Sequence, residues 1–188
     1  KPELNMLGAE KKELDEVLKP WIELRNTDQD LIISAVSLPF KEYVELGIKQ
    51  NNAPTIDKLR ELRAQNVIQH LYYGNNPLLE HEARNLALKP LLKKNCDLIW
   101  LLDGSDEFYS LENLQKIIEY ITKEDSKFYD WFKLNFKNYV FSGKEWIDGF
   151  CPPRIFRTQT GYNGCCKLEK FFYDNDVFYR IADTLHRQ

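Results

Sequence analysis

Apolar runs alternate along this chain with segments whose apolar positions recur at helical spacing. Leu4, Leu7, Leu14, Val17, Leu18, Trp21 and Ile22 predict a helix over residues 3–24, interrupted at Pro20 and lying peripherally on the domain. A turn over 26–30 leads to a buried strand over 31–36, which Pro39 prevents from continuing. Residues 41–49 start a helix that 50–54 breaks, and Thr55 is placed to cap the next one, with Ile56, Leu59 and Leu62 on one face and Asn66 at its end. Residues 67–73 predict a second strand. Gly74 to Pro77 form a turn, with Asn76 as cap and Pro77 at the first position of a helix carrying Leu79, Ala83, Leu86 and Ala87, which Pro90 bends or ends. A third strand is expected over 97–103. Strand, helix, strand, helix, strand predicts an α/β fold with a parallel sheet and right-handed crossovers.

The pattern changes after residue 110. Ser110 caps a helix bearing Leu111, Leu114, Ile117, Ile118 and Ile121. Residues 131–138 alternate apolar with polar, as a half-buried strand does. Gly143 and Gly149 mark turns, 154–157 predict a short strand, 161–166 a loop, and 170–179 a strand or short helix.

The third strand carries the most suggestive chemistry. The apolar run Leu98 to Leu102 suits a strand buried on both faces, and it stops at Asp103, with Asp106 and Glu107 close behind and Gly104 and Ser105 between them. Carboxylates gathered in so short a turn repel one another, and a hard divalent cation such as Mg²⁺ or Mn²⁺ offsets that repulsion. A solvated acidic turn after an ordinary core strand is the other reading.

Composition narrows the class. At 188 residues the chain suits one domain with a sizeable core. A net charge of −3 without long charge runs argues against a nucleic-acid partner. No apolar stretch reaches the ~20 residues that span a bilayer. Cys96, Cys151, Cys165 and Cys166 show no C-x-x-C spacing, and the adjacent pair reads as free thiols rather than a metal site. With no signal-peptide pattern at the start, this predicts a reducing, cytoplasmic setting. The start at Lys1 and the polar stretch 184–188 suit a chain cut from a longer one.

Three further groups have two readings each. Glu80 and Arg84 are spaced for an intrahelical pair, while Arg84 could instead meet a phosphate or the acidic strand end. Pro152 and Pro153 stiffen the approach to Arg154, which suits bidentate binding of phosphate or carboxylate, or an ordinary pair with a nearby acid. Glu145 and Asp148 flank Trp146, as in a sugar subsite with a general base or in a hairpin tip.

In this order the pieces resemble a glycosyltransferase of the GT-A fold, family 2-like. The resemblance spans roughly residues 31–160. It rests on Leu31 to Phe40, on Glu82-Ala83-Arg84-Asn85, on Asp97 to Tyr109, and on Phe136 to Phe141 followed by Pro152 to Phe156. It implies a GT-A-like (Rossmann-like) mixed, mainly parallel sheet flanked by helices in one domain over 1–188. Residues 1–27 would be a peripheral helix, 31–110 a nucleotide-binding half and 111–188 an acceptor half cut short. The resemblance further implies a nucleotide-sugar donor, foremost a UDP-sugar, and a glycan, lipid or protein acceptor. Mn²⁺ or Mg²⁺ would be held by Asp103, Asp106, Glu107 and a late histidine, His186, acting as a Lewis acid on the leaving diphosphate. Ala35, Val36 and Ser37 would line the nucleoside pocket, with Arg84, Asp103 and Arg154 also toward the donor, and Asp148 or Glu145 would be the base.

The sequence departs from that family's pattern in two places. Asp103-Gly104-Ser105-Asp106 is one residue longer than D-x-D, and Tyr73-Gly74-Asn75-Asn76 lacks the Asp that reads the base. A catalytically silent GT-A-like binding domain is therefore the alternative. A sugar-phosphate nucleotidyltransferase ranks lower, because Ser37-Leu38-Pro39-Phe40-Lys41 is not the Gly- and Arg-rich loop it needs.

Overall fold

A computed structural model describes residues 11–27, 30–48, 52–102, 109–134, 136–140, 145–150, 153–160 and 166–167. The helices are α1 (Lys11–Thr27), α2 (Lys41–Glu45), α3 (Ala53–Ala64), α4 (Glu80–Lys93) and α5 (Leu111–Thr122). The strands are β1 (Ser34–Ser37), β2 (His70–Tyr73), β3 (Leu98–Trp100), β4 (Trp131–Lys133), β5 (Phe136–Val140), β6 (Glu145–Phe150), β7 (Pro153–Arg157), β8 (Gln159–Thr160) and β9 (Cys166–Lys167). The fold is mixed α/β with small sheets. β1 pairs parallel with β2, joined through α2 and α3. The remaining described ladders are antiparallel: β3–β7, β7–β4, β5–β6 and β8–β9. Parallel strand pairing among the described residues is thus confined to β1 and β2, so the expected mainly parallel sheet is found only in part. β3 takes its described backbone partner from β7, a strand whose short length and flanking prolines gave no sign of direction.

α1 is less peripheral than its terminal position suggests. Leu14, Val17, Leu18, Trp21 and Leu24 are buried, and all but Val17 divide between two core clusters. Leu14 and Leu18 pack with Leu59 and Leu62 of α3 and with Ile68 and Leu71. Trp21 and Leu24 pack with Leu114 of α5. Pro20 is buried within the helix, which runs on through Thr27 and so takes in the start of the expected turn. A third cluster joins Leu88 of α4, Ile99 of β3 and Phe156 of β7.

Helix boundaries explain two further differences. α3 begins at Ala53, with Asn52 at its N-cap position and Pro54 in the first turn, where a missing N–H costs nothing. Thr55 is therefore inside the helix and does not cap it. α4 begins at Glu80 rather than Pro77, because Leu78 is already engaged: its N–H donates to the Pro39 carbonyl at 3.1 Å, and its carbonyl accepts from the Lys41 N–H at 2.8 Å. Glu82 then accepts from the Leu79 N–H at 3.0 Å, and Glu42 of α2 accepts from the Glu80 N–H at 3.2 Å. Pro90 neither ends nor breaks α4; it is buried inside it.

The residue 110 boundary falls where expected. Ser110 Oγ accepts from the Asn113 N–H at 3.1 Å, and Leu114 and Ile121 are buried on the inner face of α5. The expected strand over 131–138 divides into β4 and β5. Gly149 lies within β6 rather than in a turn, at a register shift where Asp148 and Gly149 stand against the single residue Lys137. Such a bulge suits a residue without a side chain. Among the described residues, no helix is long and apolar enough to cross a membrane.

Candidate functional site

The carboxyl ends of β1 and β2 lie side by side, with Ala35, Val36 and Ser37 opposite Leu71, Tyr72 and Tyr73. The segments that follow are stitched together by the Leu78 bonds to Pro39 and Lys41, and by the Glu42 carboxylate on α4. Ligands of open α/β sheets bind at such an edge. Ser37 is buried and Ala35 packs on the cluster formed with α1 and α3, so Ala35 has a core role besides any role at the edge. Tyr72 and Tyr73 are exposed, and the Arg60 guanidinium stands 5.8 Å from the Tyr73 ring centre.

Beyond its start, the ladder is continued by a side chain rather than by backbone alone. Gln69 Oε1 accepts from the Ile33 N–H at 2.8 Å, and its amide nitrogen donates to the carbonyls of Asn66 and Val67. Asn66 adopts a left-handed conformation (φ 59°) that turns the chain out of α3.

The third strand brings the chain to the acidic stretch. Leu102 packs on the same core cluster as Ile33 and Ala35, so the residue before Asp103 shares its packing with β1. Asp103, Asp106, Glu107 and His186, the expected metal ligands, lie outside the described residues. The stems around 103–108 are described. Trp100 precedes it, Tyr109 follows it, and both rings meet Trp21 of α1. Trp21 and Trp100 are 4.9 Å apart at 88°, Trp21 and Tyr109 5.6 Å at 78°, and Trp100 and Tyr109 5.5 Å at 88°. These edge-to-face contacts are each worth about 1 kcal/mol beyond burial. Trp100 and Tyr109, on either side of the stretch, therefore share one aromatic cluster with Trp21.

Arg154 stands beside the first of these stems. Its carbonyl accepts from the Leu101 N–H at 2.8 Å, two residues before Asp103. Phe132 is opposite Ile155 and Lys133 is opposite Pro153, so Arg154 is the extra residue of a bulge against β4. Pro153 lies at this irregularity, where the ladder does not need its N–H. Arg154 is 8 % exposed. A guanidinium so buried is kept only where an anion or acceptors compensate it.

Arg84 forms the expected intrahelical pair. It pairs with Glu80 one turn earlier on α4, with both side chains partly exposed. Glu145 and Asp148 both fall on β6, whose described ladder is with β5.

Several residues with structural weight were not singled out from sequence. Arg157 Nε donates to the Tyr129 carbonyl at 2.9 Å, and Nη2 donates to those of Ile121 and Ser126, each at 2.9 Å. One guanidinium thus ties the end of α5, the 3-10 turn Glu124–Phe128 and the approach to β4. Thr158 Oγ1 donates to the Cys96 carbonyl at 2.5 Å, fixing the end of β7 to the start of β3. Burial, with Asp97 adding to it, pushes the Cys96 thiol above its ordinary value, so it is a poor nucleophile. Among the described residues, no group of three or more His, Cys, Asp or Glu is placed to hold a metal. No family model, curated protein or solved structure matches the chain.

Proposed function

We propose that the chain is a metal-dependent glycosyltransferase of GT-A-like fold, transferring a sugar from a nucleotide-sugar donor, foremost a UDP-sugar, to a glycan, lipid or protein acceptor. One observation carries the reading. The apolar run that leads into Asp103, Asp106 and Glu107 packs through Leu102 on the cluster that also takes Ile33 and Ala35, so the third strand and the parallel pair β1–β2 share one core. On this reading a donor nucleotide lies by Ala35, Val36 and Ser37, and its diphosphate is held through the cation of the acidic stretch.

The donor set Asp103, Asp106, Glu107 and His186 is mostly carboxylate oxygen, which suits Mn²⁺ or Mg²⁺. When bound, the cation would supply Lewis-acid stabilisation of the leaving diphosphate. Arg154, whose carbonyl bonds the Leu101 N–H, is the residue proposed to balance negative charge there. Asp148 and Glu145 remain the proposed bases, one or the other.

The test is calorimetry with UDP, GDP and their sugars, with and without Mn²⁺. Saturable UDP binding that requires Mn²⁺ is expected, and Asp106→Ala should abolish it. Absence of any nucleotide binding in the presence of metal would overturn the proposal, and binding that survives Asp106→Ala would overturn the assignment of Asp106.

A second reading has one observation in its favour. Arg84 pairs with Glu80, a partner with which a donor diphosphate would have to compete. A catalytically silent GT-A-like binding domain would bind nucleotide with metal yet release no free sugar or UDP from a UDP-sugar over prolonged incubation.

A further inference from the structure

We draw no further inference here: the strongest candidate, the exposed aromatic patch formed by Tyr120 of α5, Phe128 of the 3-10 turn and Tyr129 before β4, carries nothing because nothing in the structure shows what covers it.

Discussion

Single residues hold this fold together where the backbone changes direction, and Arg157 is the clearest case. Its side chain serves the carbonyls of Ile121, Ser126 and Tyr129, which end a helix, a 3-10 turn and a connecting segment. Carbonyls left without donors after burial cost about 1–3 kcal/mol. Arg157→Ala should therefore lower unfolding stability by about 3 kcal/mol in urea. Arg157→Lys should recover only part of it, because an ammonium lacks the planar fork that reaches carbonyls on different segments. Equal stability of wild type and Arg157→Ala would refute the clamp.

Lys58 makes a different single-residue prediction. Its ammonium lies 2.6 Å from Asp15 of α1 with only 13 % of the side chain exposed. The hydrogen bond to Asp15 raises its pKa above the ordinary lysine value, outweighing desolvation. A group whose folded pKa is raised contributes stability that is whole below its unfolded value and fades as pH rises through the folded one. The melting temperature should fall in strongly alkaline solution, and Lys58→Met should flatten that fall. An unchanged alkaline slope in the variant would show that other groups set it.

At the scale of elements, the helix starts test how much local sequence decides. Ser110 accepts the Asn113 N–H as its position in the sequence promised, and Ser110→Ala should cost about 1 kcal/mol. Thr55→Ala should cost less than half of that, since Thr55 follows Pro54 inside α3. Parallel guanidinium melts of the two variants measure the difference, and equal losses would count against the boundary at Ala53. Ser110 and the α5 stripe were legible because cap and core face lie within one dozen residues of each other. Asn76 and Pro77 misled because a distant residue, Phe40, engages Leu78 first in a parallel bridge. The direction of β3 was equally hidden: its apolar run fits either pairing, and β7 decides it from far along the chain. For the site, the prolines signalled a firmly held Arg154, whereas its place beside Leu101 and the bulge that makes it the odd residue against β4 depend on tertiary register alone.

At the scale of the whole molecule, α1 connects the two regions that the proposed function needs together. Its Leu14 and Leu18 reach the cluster under β1 and β2, while Trp21 touches Trp100 and Tyr109 at the stems of the acidic stretch. No periodicity within α1 announces this, because a tryptophan on an apolar face reads as core whichever ring it meets. Trp21→Ala removes the ring shared by both stems and opens a cavity, at a cost of about 3–5 kcal/mol. Trp21→Phe keeps an aromatic edge in place and should cost much less. If the cluster organises the nucleotide edge as well as the core, Mn²⁺-dependent UDP binding should weaken in Trp21→Ala at temperatures where the variant is still folded by far-UV circular dichroism. It should be close to wild type in Trp21→Phe. Tight binding in a folded Trp21→Ala would mean that α1 supports the core alone and that the acidic stretch is held by contacts of its own.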